Sequence, residues 1–169
     1  MDGTEQPVGL MLDLQPSLGP ALVIGGGAVA ARKVRGLTEA GFAITVVAPA
    51  IDPAIRKLPG VRLRERTFEP GDIEGHAIVF ACTDDREVNR LAGELARARG
   101  APVVVADSQE ESTAFTPAVH RQGDITIAVS TGGGAPAVAA AIRVHLAAAL
   151  GPGWQAKLAS SRAHRKPEI

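Results

Sequence analysis

Six consecutive residues, Gly25-Gly26-Gly27-Ala28-Val29-Ala30, contain the spacing Gly25-x-Gly27-x-x-Ala30 that lets a chain hold a pyrophosphate against its own backbone. Gly25 permits a tight turn, Gly27 has no side chain to keep a phosphate away, and Ala30 is small enough for a helix to pack on a strand. A helix opening at Ala28 and Val29 points free N–H groups at the anion. An acidic ribose ligand belongs about 20 residues further on, at the end of the next strand. The sequence there is Val46-Val47-Ala48-Pro49-Ala50-Ile51, and Asp52 arrives only after the proline. The backbone at Pro49 and Ala50 is therefore the candidate holder of an adenosine, and the choice between NAD and NADP stays open.

The elements that must position this turn are legible as alternating patterns. Ala21-Leu22-Val23-Ile24 is a short apolar strand, followed by a helix with Ala30, Val34 and Leu37 on one face and Gly41 as its stop. Ile44-Thr45-Val46-Val47 is the second strand, a short helix covers Pro53 to Leu58, and Val61 to Phe68 alternates as an edge strand. Ala77 to Cys82 is a buried strand. Asp84 offers an N-cap with Glu87 three residues on, and Val88, Leu91, Ala92 and Leu95 mark the inner face of the next helix. Pro102 to Ala106 forms a last strand, which stops at Asp107. Such alternation predicts an α/β, Rossmann-like doubly wound parallel sheet. After it, Phe115 to His120 and Asp124 to Val129 read as two strands joined by a hairpin-like turn. A helix from Pro136 to Leu150 follows, with Val138, Ile142 and Leu146 on one stripe. This is a small α+β segment. The expected organisation is a dinucleotide-binding domain over 1–112, a dimerisation segment over 113–150, and a short basic tail over 151–169.

Composition narrows the function classes. The 169 residues are 46% hydrophobic and 21% charged, which suits one domain with a small appendage and not a disordered chain. Lys and Arg number 18, as do Asp and Glu, so no net basic field attracts nucleic acid or an anionic membrane. Aromatic residues make up 3%, with no Tyr, leaving few platforms for stacking bases. The single cysteine excludes an intrachain disulfide framework and points to a reducing, cytoplasmic compartment. No uncharged apolar run of about 18 residues marks a membrane span, and Met1-Asp2-Gly3-Thr4-Glu5 has no basic leader region. His76, His120, His145 and His164 lack metal-ligand spacing, and Cys82 reads as a core thiol, so no metal site is expected. The Arg162 to Lys166 run is too short and aromatic-poor to argue for nucleic acid.

Four segments carry a resemblance. Val23-Ile24-Gly25-Gly26-Gly27-Ala28-Val29-Ala30-Ala31-Arg32-Lys33 is similar to the opening of precorrin-2 dehydrogenases, the NAD-dependent module of siroheme synthases. Leu12-Asp13-Leu14 precedes the first strand as it does in that family. Ala81-Cys82-Thr83-Asp84-Asp85-Arg86-Glu87-Val88-Asn89 and Ile127-Ala128-Val129-Ser130-Thr131-Gly132-Gly133-Gly134-Ala135-Pro136 resemble two further family segments. Order and spacing agree over about residues 10 to 150.

The resemblance implies oxidation of precorrin-2 to sirohydrochlorin with transfer of a hydride to NAD, by a homodimer. It implies that Asp107 is the general base and that Thr83 lies at the cofactor. The substrate, a tetrapyrrole rich in carboxylates, calls for cations. Arg121 and Arg143 are the candidates for that role, with Arg32 and Lys33 beside the glycine turn. Ser130 and Thr131, ahead of a glycine run and a helix, form a second candidate anion site, one that faces a partner's active site in the family. Two features depart from the family pattern: Val104 stands where Asn is common, and Ala114 to Ala118 is one residue shorter than usual. The family usually continues into a longer helical region beyond the position of Trp154, and an added sirohydrochlorin ferrochelatase is the alternative enzyme reading. A non-catalytic dinucleotide-binding module is the remaining alternative. It has no evident use for the Ser130 to Pro136 match.

Overall fold

The computed structural model describes residues 9–163. The opening Met1-Asp2-Gly3-Thr4-Glu5 and the His164-Arg165-Lys166 part of the basic run lie outside the described residues. Two compact units make up the chain, one of Leu10–Ala114 and one built from Phe115 onward.

The first unit is a five-stranded parallel sheet in the order β3-β2-β1-β4-β5, with β1 Ala21–Ile24, β2 Ile44–Val47, β3 Val61–Arg64, β4 Ile78–Ala81 and β5 Val103–Val105. It alternates with helices α1 Ala28–Glu39, α2 Pro53–Arg56 and α3 Arg86–Ala98, a Rossmann-like α/β arrangement. Its strands are short apolar runs because both faces of a parallel sheet are covered: every residue of β1, β2, β4 and β5 is buried. Val23, Val34, Val46 and Ile55 belong to the core on one face. Leu22, Ile24, Val79 and Val103 belong to the core on the other. Each such side chain contributes about 1.5–3 kcal/mol by leaving water.

Three local details differ from the sequence reading, each for a physical reason. Strand β3 stops at Arg64 instead of running to Phe68, because Arg64 and Arg66 both turn their guanidinium groups onto Asp72 at 2.6 Å. Asp72 is buried in a 3-10 turn, Pro70–Ile73. The Arg66 guanidinium, helped by the Glu69 N–H and by Arg64, holds its carboxyl down to about 2 against the opposing effect of burial. Next, Asp85, not Asp84, caps α3, accepting from the N–H groups of Glu87 (2.9 Å) and Val88 (3.2 Å). The reason is a turn one residue earlier, where the Asp85 N–H donates to Thr83 Oγ1. Finally, α3 buries Asn89, Ala92, Gly93 and Ala96, while Val88, Leu91 and Leu95 are only half-buried. The small residues let the helix come close: a Cβ at Gly93 would lie 3.2 Å from Val105 Cγ2.

In the second unit, β6 Ala118–Gln122 and β7 Ile125–Val129 form an antiparallel hairpin closed across Gly123-Asp124, with Gly123 at φ 56. The first strand begins at Ala118 and not at Phe115, since Pro117 has no N–H for a ladder. Helix α4, Pro136–Ala149, packs on both strands. Only Ala139 of it is buried, and the Val138, Ile142 and Leu146 stripe is exposed. Where a basic tail was expected, residues Gly153–Ala163 form a further helix, α5. The Gln155 side chain donates to the Gln122 carbonyl and Arg162 pairs with Asp124, tying α5 to the hairpin turn. No single helix among the described residues is long and apolar enough to cross a membrane.

Candidate functional site

The C-terminal edge of the parallel sheet is held together by backbone hydrogen bonds that join one strand end to the next. The Gly25 N–H donates to the Val47 carbonyl (2.9 Å) and the Cys82 N–H to the Ile24 carbonyl (2.7 Å). The Ala106 N–H donates to the Ala81 carbonyl (2.9 Å), and the Asp52 N–H reaches the Gly26 carbonyl (2.8 Å). Four loops therefore share one frame at the edge where ligands of such sheets bind.

Within the glycine turn the three positions differ in kind. Gly25 sits at φ 115, and a Cβ there would lie 2.4 Å from the Cys82 carbonyl oxygen. A Cβ at Gly26 would lie 2.0 Å from the Ala50 carbonyl oxygen, so the residue left unspecified by the motif spacing is the most tightly packed of the three. Its signal in the sequence was the unbroken glycine triplet itself. Gly27 has ordinary φ (−85) and nothing within 4 Å of the place a Cβ would occupy. Neither strain nor any protein neighbour requires glycine at 27. Open space there, in front of α1, is what close approach of a phosphate needs. No side chain caps α1, so the N–H groups of its first turn, at the exposed Ala28 and Val29, have no side-chain acceptor. These features fit the pyrophosphate of a dinucleotide.

At the end of β2, Pro49 and Ala50 are exposed on the same edge. Asp52 is committed elsewhere, accepting the Ala54 N–H at 2.7 Å as the cap of α2. At the end of β4, Thr83 is bound to a residue the motif reading did not single out. Asn89, wholly buried, accepts from the Thr83 N–H (3.0 Å), lies 2.8 Å from Thr83 Oγ1, and donates to the Thr83 carbonyl (2.9 Å). Its Nδ2 also donates to Asp107 Oδ2 at 3.1 Å. Asp107 follows β5 with its side chain 38% exposed, and Arg86 Nε lies 4.0 Å from the same Oδ2. Arg86 is in turn held by Glu111, which raises the guanidinium and lowers the carboxyl from their usual values. Asn89 and Arg86 were both present in the third quoted segment, but what they touch became visible only once α3 was packed.

Behind this edge, burial pushes the Cys82 thiol up to about 11, with Lys33 and Arg32 pulling it down and Asp107 adding to the rise. Such a thiol is protonated and inert at neutral pH. Lys33 is held below its ordinary value, first by burial and then by Arg32, with Cys82 opposing. Val104, the departure from the family pattern, lies in the core cluster with Phe80 and Cys82.

The second unit holds the other candidates. Ser130 and Thr131 line a cavity of about 200 Å³ together with Phe115, Pro117, Gly133 and Ala139. Their hydroxyls accept locally, Ser130 from the Gly132 N–H (3.2 Å) and Thr131 from the Ala135 N–H (3.1 Å). Arg121 is exposed in β6 and Arg143 half-buried in α4. Among the described residues no group of three His, Cys, Asp or Glu side chains is placed to hold a metal ion.

A model of the family described as putative NAD(P)-binding matches residues 10–118. A siroheme synthase of Methylobacillus flagellatus is 42% identical over 130 residues, covering 75% of this chain and 28% of that protein. One from Pseudomonas aeruginosa is 41% identical over 154 residues, covering 88% and 33%. The chain thus spans about a third of the length of these relatives. Among solved structures, SirC, a precorrin-2 dehydrogenase, superposes with a TM-score of 0.69 and 26% identity, over 88% of this chain and 73% of that one.

Proposed function

The chain belongs to the putative NAD(P)-binding family, and from that premise we propose that it oxidises precorrin-2 to sirohydrochlorin with NAD, as a homodimer in the cytoplasm. The observation that carries this reading is the pairing, on one sheet edge, of the open glycine position in front of α1 with a carboxylate at the end of β5. The likeness to siroheme synthases and to SirC supports the choice of substrate.

NAD, when bound, supplies a hydride acceptor. The chain supplies the rest. Gly25 and Gly26 shape the turn, Gly27 and the first turn of α1 receive the pyrophosphate, and the backbone at Pro49 and Ala50 borders the adenosine. The carboxylate of Asp107 takes the proton that the substrate loses as its hydride leaves, so the two-electron oxidation balances. Thr83 is linked to it through Asn89, which bonds to both. Arg86, 4.0 Å from Asp107, is a cation available to a substrate carboxylate in the first unit; in the second unit Arg121, Arg143, Ser130 and Thr131 remain the candidates for binding substrate carboxylates. Pairing of two copies through the exposed stripe of α4 accounts for the apolar residues there. A single cysteine, buried and protonated, fits a reducing compartment.

The test is anaerobic turnover of precorrin-2 with NAD, read as NADH formation and the sirohydrochlorin spectrum. Wild-type protein turns over, and Asp107→Asn loses about a hundredfold or more in kcat with NAD binding intact. Undiminished turnover in that variant removes Asp107 from the reaction. NAD binding by the wild type without any tetrapyrrole oxidation would leave a binding module.

A further inference from the structure

We propose that Asn89 is a positioning residue for this oxidation: its carboxamide holds the Asp107 carboxylate and the Thr83 turn in one frame, leaving Oδ1 of Asp107 as the atom that takes the proton. The inference rests on the reading of Asp107 above.

Asn89 occupies the inner face of α3, whose other buried members are Ala92, Gly93 and Ala96. A polar side chain there is costly unless every polar atom finds a partner. The carboxamide meets that condition completely. Its Oδ1 lies 3.0 Å from the Thr83 N–H donor and 2.8 Å from Thr83 Oγ1, and its Nδ2 donates to the Thr83 carbonyl (2.9 Å) and to Asp107 Oδ2 (3.1 Å). The carboxamide oxygen, accepting from the Thr83 N–H, and both donor hydrogens are thus used on two loops that follow different strands, β4 and β5.

Asn89 is fully enclosed, whereas Asp107 is not. Asn89 is 0% exposed, while the Asp107 side chain is 38% exposed and would sample several rotamers without a fixed donor. The amide selects one of its two oxygens. Oδ2 receives the Asn89 N–H and faces Arg86 Nε at 4.0 Å, while Oδ1 makes no hydrogen bond among the described residues. A base needs an unengaged lone pair aimed in a constant direction. Thr83, at the cofactor side, is fixed by the same group, so cofactor loop and base keep their separation. No apolar residue, and no residue that only accepts or only donates, can do this.

The test uses the full chain and three variants: Asn89→Asp, Asp107→Asn, and the double variant. Asn89→Asp is nearly isosteric and still accepts from Thr83, but it can no longer donate to Asp107 or to the Thr83 carbonyl. We expect kcat to fall about tenfold or more, with NAD affinity by fluorescence titration within about threefold of wild type. A role in folding alone would instead lower melting temperature, NAD affinity and kcat together. The double variant moves the donor to the other end of the same hydrogen bond. Its melting temperature should recover toward wild type while turnover stays lost, and this holds even if the single variant folds poorly. Wild-type kcat in Asn89→Asp, with Asp107→Asn inactive, overturns the role of Asn89 alone. Failure of the double variant to regain stability overturns it as well. Full turnover in Asp107→Asn overturns the underlying reading of Asp107 instead.

Discussion

Helices α3 and α4 pack by the same device and end in opposite surfaces. Each lies on its strands through small residues, Ala92, Gly93 and Ala96 in α3 and Ala139 in α4. The outer side of α3 carries Glu87, Arg90 and Glu94, with Arg90 bridging the other two at 2.9 and 2.6 Å. Exposed on α4 are Val138, Ile142, Val144 and Leu146. A solvated charged face needs no explanation, but an exposed apolar stripe on a helix does. The Leu10–Ala114 unit has a complete core of its own. The unit from Phe115 onward buries one residue of its longest helix and leaves Val138, Ile142, Val144 and Leu146 of that helix exposed.

The strongest way to break that contrast is to charge the stripe. Ile142→Glu would place a carboxylate at the centre of the α4 face, and we expect it to weaken self-association by about a hundredfold or more in Kd. Sedimentation should show a shift toward monomer at micromolar concentration. Unfolding of the Leu10–Ala114 unit should change little, because its core contains nothing from α4. A variant that remains a dimer at the same concentration would mean that the stripe is not the contact.

A finer contrast lies inside the glycine turn. Gly26→Ala forces a Cβ against the Ala50 carbonyl and should destabilise the first unit by about 2–3 kcal/mol. Gly27→Ala meets no protein atom, so stability should hold within about 0.5 kcal/mol. NAD affinity should nevertheless fall about tenfold, since the added methyl occupies the phosphate's approach. Thermal melts and NAD titration on both variants separate a glycine that serves the fold from one that serves the ligand. Equal affinity in Gly27→Ala and wild type would place the pyrophosphate elsewhere.

What the sequence made legible follows from the range of the forces involved. The strands β1, β2, β4 and β5 and the turn at Gly25 are local patterns, readable from short apolar runs and glycine spacing. The orientation of α3 was not, because Gly93 and Ala96 attract no notice until Val105 is found against them. The stripe Val138, Ile142 and Leu146 was seen, but periodicity cannot say whether a stripe meets its own chain or another copy. Asp107 was visible as a carboxylate ending a strand, whereas Asn89 is joined to it only through a contact 18 residues distant in sequence. The same holds for Arg64, Arg66 and Asp72, which looked like an alternating edge strand followed by a loop.

That cluster should separate the two units by pH. Asp72 is 2% exposed, and its folded value, about 2, lies below the ordinary 3.8. A depressed carboxyl favours the folded state at pH values above its unfolded value, and the contribution is lost as pH falls through the folded one. The first unit should therefore lose about 2 kcal/mol between about pH 4 and pH 2. Asp72→Asn should lower stability by a similar amount at neutral pH and flatten that acid dependence. Arg64 and Arg66 are 35% and 38% exposed, so they rehydrate when the acid is removed, which keeps the loss below that of a fully buried pair. Between Phe115 and Ala163 the one carboxylate is Asp124, whose pairing with Arg162 is well exposed and contributes little. Melting followed by Trp154 fluorescence in the second unit should hence vary less with acid than melting followed by far-ultraviolet ellipticity. Parallel loss of both signals, unchanged in Asp72→Asn, would mean that the two units unfold as one and that the cluster is not what acid attacks.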